Sequence, residues 1–213
     1  MDYKQHLIDS ALRMRNSGLT LGTWGNVSVR DPETGYIYLT PSAMPYDLIK
    51  PEDIVVMDED LNLIEGFRKP TIEYTMHVGI MKARKDVNAI LHTHPMESQV
   101  FAVLRKDIPV INDEGAQLIG GTVHCAEYAL PGTPELAENV IKALGDGAAA
   151  LVASHGAVCV GATMDEAFMV STVLEIEAEL YRKALPIGQP HIYEPEITKA
   201  NHDYVKYHYG QDK

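Results

Sequence analysis

The sequence has few cysteines, no long apolar run and no signal-like start. Only Cys125 and Cys159 occur among 213 residues, and neither belongs to a C-x-x-C motif. We therefore expect two reduced thiols rather than a disulfide framework. No apolar run reaches the roughly 20 residues that a membrane helix needs, and residues 1–20 are charged rather than signal-like. These absences predict a cytoplasmic protein without a membrane partner.

Positive charge is also scarce. The chain has 18 Lys and Arg against 30 Asp and Glu, which gives a formal net charge of −12. No basic stripe offsets this balance, so we predict no nucleic-acid partner. An anionic small molecule would have to be bound by a local device such as a helix N-terminus. A length of 213 residues with 46% hydrophobic residues predicts one domain over 1–213 with a large core.

The apolar pattern predicts helices interspersed with hairpin strands. Helices are predicted at 3–17, 71–84, 97–104, 134–144 and 163–184. Strands are predicted at 27–29, 36–39, 53–57, 61–64, 87–93, 110–111, 121–125, 148–153 and 157–160. This alternation indicates an α/β domain around a mostly antiparallel or mixed sheet. The tail from about 186 is rich in Pro, Tyr and His with little core pattern, so we expect it to be disordered or to pack on a neighbouring subunit.

Three histidines accompany two of the predicted buried strands. His92 and His94 are spaced i, i+2, and alternate strand residues point to the same face, so their imidazoles aim at one spot. His155 ends the second apolar strand and could complete a site with three nitrogen ligands and an open fourth position. Such a site is typical of catalytic Zn²⁺, and Co²⁺, Mn²⁺ or Fe²⁺ also fit it. A lone buried histidine is more often a core residue, and the His-x-His pair changes that balance.

Glu73 is the carboxylate best placed to act beside such a metal. It lies at the start of a predicted helix, after Thr71, where the helix dipole favours its ionised form. Beside a metal it would be a fourth ligand or a general base, and elsewhere it would be an ordinary first-turn residue. His77, one turn later, either orients Glu73 or packs in the core.

Three short segments have the composition of an anion site. Gly25 and Asn26 lead into a strand, Ser42 follows Thr40 in a turn, and Thr71 begins a predicted helix. Each segment alone is usually a plain turn. Together their backbone N–H groups and hydroxyls can hold a phosphate.

These motifs together resemble the class II aldolase/adducin superfamily. The segments 22–26 (G-T-x-G-N), 40–43 (T-P-S-A), 69–73 (K-P-T-I-E), 92–94 (H-x-H) and 155–156 (H-G) are similar to that family's phosphate-loop, glutamate and metal motifs. The resemblance runs from about residue 5 to residue 185, and the joint spacing is far more specific than any one piece. It implies a compact α/β subunit with a central antiparallel sheet, a C4 homotetramer, and active sites at subunit boundaries.

The resemblance also implies a reaction. A metal-dependent aldolase would cleave L-fuculose 1-phosphate or a related deoxy-ketose 1-phosphate to dihydroxyacetone phosphate and an aldehyde. The metal would hold the enediolate as a Lewis acid, and Glu73 would move the proton at carbon. The substrate phosphate would be bound by Gly25, Asn26, Ser42, Ala43, Thr71 and Ile72.

Several positions depart from the family pattern. Ile72 replaces a serine and Ala43 a glycine, and the family's tyrosine acid near residue 113 is absent. Glu114 falls near the catalytic glutamate of the related methylthioribulose-1-phosphate dehydratases, and Tyr209 resembles a family tyrosine that reaches a neighbouring active site. An enzyme like those dehydratases therefore remains an alternative. So does one like the ribulose-5-phosphate 4-epimerases, which carry Asp where Glu73 stands. A non-catalytic adducin-like scaffold is a third alternative, although such domains lack the metal histidines.

Overall fold

One eight-stranded sheet forms the centre of the protein in the computed structural model, which describes residues 2–211. The strands are β1 (Asn26–Arg30), β2 (Ile37–Leu39), β3 (Val55–Met57), β4 (Leu63–Glu65), β5 (Ala89–Thr93), β6 (Cys125–Ala126), β7 (Ala149–Val152) and β8 (Gly156–Gly161). Their order is β4-β3-β2-β1-β5-β8-β7-β6, and every neighbouring pair is antiparallel except β6 with β7. The predicted α/β class with a mostly antiparallel central sheet is confirmed. Residues 1, 212 and 213 of the predicted domain and tail lie outside the described part.

Helices cover both faces of this sheet. They are α1 (Tyr3–Asn16), α2 (Tyr74–Ala83), α3 (Met96–Leu104), α4 (Pro134–Leu144) and α5 (Met164–Ala184), while α6 (Pro195–His208) packs on the segment Gly115–Ile119. Neighbouring β5 residues face opposite sides, since Ile90 packs with the cluster of α2 and α4 and Leu91 with that of α1 and α5. The central strands are therefore buried on both faces, as their continuous apolar runs indicate, whereas the edge strand β4 is exposed. No helix within residues 2–211 is long and apolar enough to cross a membrane.

The second helix begins later than predicted. Its first residue is Tyr74, and Glu73 is the residue immediately before it. Thr71, predicted to begin this helix, instead donates its backbone N–H to Thr40 O at 3.0 Å. That bond joins the segment before α2 to the end of β2, so Thr71 serves a strand-like bridge and not a helix cap.

The predicted strands at 110–111 and 121–125 are wrong in extent. Only Ile108 and Val123 pair there, as an isolated bridge, before the two-residue β6. The backbone groups that a longer strand would need are bonded elsewhere. Val110 O accepts from the N–H of Tyr193 at 2.9 Å, and Ile111 N–H donates to a carboxylate of α5 at 2.6 Å.

The tail is ordered as a helix where disorder was one expectation. Residues 195–208 form α6, which begins at Pro195, a favoured first helical position. The helix packs on a π-helical turn of the same chain, Gly115–Ile119, and His202 Nδ1–H donates to Gln117 O at 2.9 Å. Thr198 is the one residue of α6 that is buried. Packing of this tail against a neighbouring subunit stays a prediction.

Arg30 joins β1 to the connection between α2 and β5. Its guanidinium donates to the carbonyl oxygens of Met81 at 2.7 Å, Lys85 at 2.8 Å and Val87 at 2.6 Å. Its Nε–H donates to Asn88 Oδ1 at 3.0 Å. One buried cation thus satisfies three carbonyl groups between the last turn of α2 and the start of β5.

We predict that Arg30→Met lowers the free energy of unfolding by about 2–4 kcal/mol, since it leaves buried carbonyl groups unpaired. Urea unfolding of purified protein measures this loss. Lys82→Met is the control, because its ion pair with Asp60 is exposed on both sides and should contribute less than about 1 kcal/mol. Equal unfolding midpoints for the two variants would show that the Arg30 bonds carry no net stability.

Candidate metal centre

Two of the candidate histidines are placed by the central strand of the sheet. His92 lies in β5, opposite Asn26 of β1 on one side and Val158 of β8 on the other. His94 follows the strand, and its backbone N–H donates to Leu19 O at 2.8 Å. The i, i+2 spacing puts both imidazoles on the same side of the chain.

The third histidine lies in the turn between β7 and β8, just after the strand where it was expected. A Cβ at Gly156 would overlap Thr93 O and lie 3.4 Å from His92 Cε1. Only glycine therefore allows this turn to approach the end of β5 so closely. That approach brings His155 to the other two rings.

The three rings converge through one nitrogen each. His92 Nε2 lies 3.0 Å from His94 Nε2 and 3.3 Å from His155 Nε2. Two nitrogens bound at about 2.0–2.1 Å to a tetrahedral ion such as zinc stand roughly 3.3 Å apart. His92 Nδ1–H donates to Ala157 O at 3.0 Å, which leaves the Nε2 lone pair free to bind a metal. The spacing and the tautomer both fit a shared cation.

Burial keeps these rings neutral. It lowers the pKa of His92 and His155 to about 4 and that of His94 to about 3. Converging lone pairs of neutral imidazoles repel one another in a buried site unless a cation lies between them. Within residues 2–211 these three histidines form the one group with the arrangement of a metal site. They are the residues that would hold a divalent metal.

Glu73 completes this cluster with a buried carboxylate. Only 2% of the residue is exposed, and its Oε2 accepts from Asn26 Nδ2 at 2.8 Å while lying 3.2 Å from His92 Nε2. Oε1 lies 3.7 Å from His155 Nδ1 and has no hydrogen-bond partner in the described chain. Burial raises the pKa of Glu73, and His155 and the Asn26 amide partly offset this rise.

The structure adds three polar residues that the sequence analysis did not connect. Asn26 Oδ1 lies 2.5 Å from His77 Nε2, and His77 Nδ1 lies 2.6 Å from Ser28 Oγ. All three side chains are buried, and burial lowers the pKa of His77 to about 3. His77 thus reaches the Glu73 carboxylate only through Asn26. The available signal was that Asn26 and Ser28 alternate with Val27 and Val29 in β1.

A cavity of about 340 Å³ opens beside this cluster, with His94, His155 and Glu73 in its wall. The segments predicted for phosphate meet there because Ser42 N–H donates to Lys69 O at 3.0 Å. All six predicted phosphate residues line this cavity: Gly25, Asn26, Ser42, Ala43, Thr71 and Ile72. Trp24 and Pro131 line it as well, and neither was predicted from the sequence.

The six residues predicted to bind phosphate differ in the hydrogen-bond donors that they have available. Both polar atoms of the Asn26 side chain are bonded inside the protein, as is the Thr71 N–H. Ile72 is 57% exposed and brings no hydroxyl. Ala43 has φ +56°, a left-handed conformation that strains an L residue and explains why glycine suits the motif there. The hydroxyl of Ser42 is the clearest side-chain donor.

Glu114 and Tyr209 do not line this cavity within one chain. Glu114 is exposed immediately before the π-helical turn, and Tyr209 is 67% exposed just after α6. A role for either residue would need the cavity of a second chain.

A second, larger cavity of about 460 Å³ lies beyond Arg30, at the other end of β1. Its wall includes Lys85 and Glu59, which already form an ion pair at 2.6 Å. Because it brings no metal-ligating cluster together, we regard the smaller cavity as the functional one.

Known proteins resemble this chain over nearly its whole length. It matches the family model of the Class II Aldolase and Adducin N-terminal domain over residues 5–182. It is 34% identical over 198 residues to the 5-deoxy-D-ribulose 1-phosphate aldolase of Bacillus thuringiensis serovar kurstaki, covering 93% of this chain and 92% of that protein. It is 33% identical over 186 residues to the L-fuculose phosphate aldolase of Escherichia coli strain K12, covering 87% and 85%.

A solved structure agrees with these relatives. The chain superposes on an L-fuculose 1-phosphate aldolase with a TM-score of 0.93 and 36% identity, over 97% of both chains. Class II aldolases use a divalent metal, which suits the three converging imidazoles. The chain therefore belongs to the class II aldolase and adducin family and is one of its aldolases, which are lyases.

Proposed function

We propose that this protein cleaves a short-chain ketose 1-phosphate to dihydroxyacetone phosphate and an aldehyde. The observation that carries this proposal is the meeting of His92, His94 and His155 with the buried Glu73 carboxylate at one cavity. An electrophilic site beside an acid/base group is what a retro-aldol cleavage requires.

Zn²⁺ is the metal we propose, at one ion per chain, with Co²⁺, Mn²⁺ or Fe²⁺ as substitutes. The Nε2 atom of His92 lies 3.0 Å from that of His94 and 3.3 Å from that of His155, separations that suit ligands of a tetrahedral ion. When bound, the ion supplies Lewis-acid stabilisation of negative charge on the substrate oxygens. The cavity beside His94 and His155 leaves room for substrate.

Glu73 is the residue that we propose moves the proton at carbon. Retro-aldol cleavage breaks the bond between C3 and C4 of the ketose. The C4 hydroxyl loses its proton as C4 becomes the aldehyde, and the electron pair of the broken bond stays with C3, which must then gain a proton. Oε2 of Glu73 is held by Asn26, whereas Oε1 has no hydrogen-bond partner in residues 2–211. Oε1 is therefore the atom placed to deliver that proton, and its buried setting raises the pKa of the carboxyl.

The substrate class is proposed from the cavity and the relatives together. The segments around Gly25, Ser42 and Thr71 supply small residues, backbone groups and hydroxyls suited to a phosphate. The remaining wall includes the exposed apolar side chains of Trp24 and Ile72. L-Fuculose 1-phosphate and 5-deoxyribulose 1-phosphate both end in a methyl group and both are named substrates of relatives, so we propose a deoxy-ketose 1-phosphate.

A neighbouring chain is part of this proposal. Trp24 and Leu130 at or beside the cavity, and Met96 near His94, are large apolar side chains that are 66–75% exposed. Exposed apolar groups around a site are typical of an interface. We propose a homotetramer in which Tyr209 or Glu114 of one chain reaches the cavity of another and acts on the aldehyde oxygen.

Other functions have less support. An enzyme like the ribulose-5-phosphate 4-epimerases would carry Asp where this chain has Glu73, and a dehydratase role for Glu114 would also need a second chain. A non-catalytic adducin-like scaffold leaves three converging imidazoles without a purpose. The cytoplasmic location stays a prediction from the two unpaired cysteines.

A panel of sugar phosphates tests the proposed function directly. Metal-loaded protein would be assayed with L-fuculose 1-phosphate, 5-deoxyribulose 1-phosphate, methylthioribulose 1-phosphate and ribulose 5-phosphate. We expect dihydroxyacetone phosphate release from the deoxy-ketose 1-phosphates. Epimerised or dehydrated product in its place would replace the proposal with the corresponding alternative.

The first prediction from this proposed function concerns metal content. His94→Ala should reduce bound metal from about one ion per chain to well below half and abolish turnover, because two ligands hold zinc far more weakly than three. Elemental analysis of purified protein measures this. His191→Ala, a histidine outside the cluster, is the control. Full metal content in the His94→Ala protein would refute the assignment of the site.

The second prediction concerns proton transfer. Glu73→Gln keeps the side chain's shape and removes its proton exchange, so turnover should fall by roughly 10²–10⁴-fold. Metal content and melting temperature should stay close to wild type. Glu177→Gln is the control, because Glu177 is also buried but does not line the cavity. Wild-type turnover in Glu73→Gln would assign Glu73 a structural role only.

The third prediction concerns the phosphate. Ser42→Ala should raise KM for the phosphorylated ketose by about tenfold or more, since a hydrogen bond to a charged group contributes roughly 1.5–3 kcal/mol. Inorganic phosphate should compete with substrate for wild-type protein. Ser17→Ala, outside the cavity, should leave KM unchanged. Equal rates on a ketose and its 1-phosphate would exclude phosphate recognition at this cavity.

A further inference from the structure

A chain of hydrogen bonds connects side chains of β1 and α2 and ends at the Glu73 carboxylate. It joins Ser28 to His77 at 2.6 Å, His77 to Asn26 at 2.5 Å, and Asn26 to the Glu73 carboxylate at 2.8 Å. Ser28 and His77 are fully buried and do not line the cavity. These two polar groups therefore contact neither solvent nor the cavity, and their hydrogen bonds lead through Asn26 to the proposed acid/base.

The Glu73 carboxylate, at one end of this chain of hydrogen bonds, determines which group donates in each of them. An ionised Glu73 carboxylate only accepts, so the Asn26 amide must turn its NH₂ group to it and its Oδ1 to His77. Because Oδ1 only accepts, His77 must carry its proton on Nε2 and keep a lone pair on Nδ1. The Ser28 hydroxyl then donates to that lone pair. Burial keeps His77 neutral, so the ring has one proton and one arrangement.

We propose that His77 and Ser28 are positioning residues, which act through the Asn26 amide to hold Glu73 Oε2 and leave Oε1 to exchange the proton. This proposal rests on the proposed function for the chemistry at Oε1. The hydrogen bonds themselves lie within one chain and do not depend on the proposed function. Removing the N–H of His77 frees the Asn26 amide to rotate, and the carboxylate loses its fixed orientation.

Imidazole ¹⁵N NMR of metal-free protein tests the arrangement without any activity. We expect the His77 signal, assigned by its loss in His77→Gln, to show a proton on Nε2 and none on Nδ1. Ser28→Ala should shift the Nδ1 resonance of His77. Ser98→Ala should not, although Ser98 is equally buried and its hydroxyl has no partner in the described chain. A proton on Nδ1 of His77 would overturn the proposal.

Kinetics with the metal-loaded variants test the positioning role. His77→Phe keeps a ring of similar size without nitrogen, and we expect kcat to fall by about 10- to 100-fold, the scale of a misplaced catalytic group. KM and metal content should stay within about threefold of wild type, because Glu73 and not the phosphate contacts would be disturbed. His77→Gln offers an N–H near the Nε2 position and should restore kcat to within about fivefold of the wild-type value.

The outcomes distinguish failure of this proposal from failure of the proposed function. Wild-type protein that cleaves no member of the sugar-phosphate panel would reject the proposed function, and the NMR result would still decide the hydrogen-bond arrangement. Active wild type with unchanged kcat in metal-loaded His77→Phe would overturn the positioning role. If His77→Phe does not fold, Ser28→Ala tests the positioning role in its place. We expect its kcat to fall by about three- to tenfold relative to the control Ser98→Ala. Equal kcat values for these two variants would overturn the proposal.

Discussion

Three neutral imidazole nitrogens that meet in a buried place repel one another unless they share a cation, and the site is built around that constraint. His92 Nε2 lies within 3.3 Å of the corresponding nitrogens of His94 and His155. Glu73 Oε2 adds a further electron-rich atom at 3.2 Å. Without a cation this arrangement opposes folding, so the stability of these elements is coupled to metal binding.

The sheet makes this convergence possible through close backbone approach. A Cβ at Gly156 would overlap the end of β5, and a Cβ at Gly25 would lie 2.8 Å from His92 O and 2.9 Å from Met14 Cε. These two glycines let the turn after β7 and the segment before β1 reach His92 from both sides. Arg30 anchors β1 at its other end. Of the cluster only His92 lies within a strand, and the segments that directly follow β5 and β7 bring His94 and His155 to it.

Sequence patterns predicted the strands, the histidine cluster and the neighbourhood of Glu73, because each leaves a local mark. Apolar runs mark the strands of a sheet covered on both faces, and His92 and His94 follow strand periodicity. The alternation of Asn26 and Ser28 in β1 marks two buried polar residues but not the role of Asn26, since Gly-Asn before a strand is typical of a turn whether the amide binds an anion or a carboxylate. The pairing of His77 with Ser28 depends on how α2 packs on β1. The extent of the strands near 110–125 and the docking of α6 were missed because tertiary hydrogen bonds override local propensity there.

Zinc K-edge X-ray absorption of the zinc-loaded protein tests the central claim most directly. The account predicts a first shell of nitrogen and oxygen at about 2.0–2.1 Å with the outer-shell scattering of three imidazoles. Sulfur in the first shell at about 2.3 Å, or scattering from fewer than three imidazoles, would contradict a metal held by His92, His94 and His155.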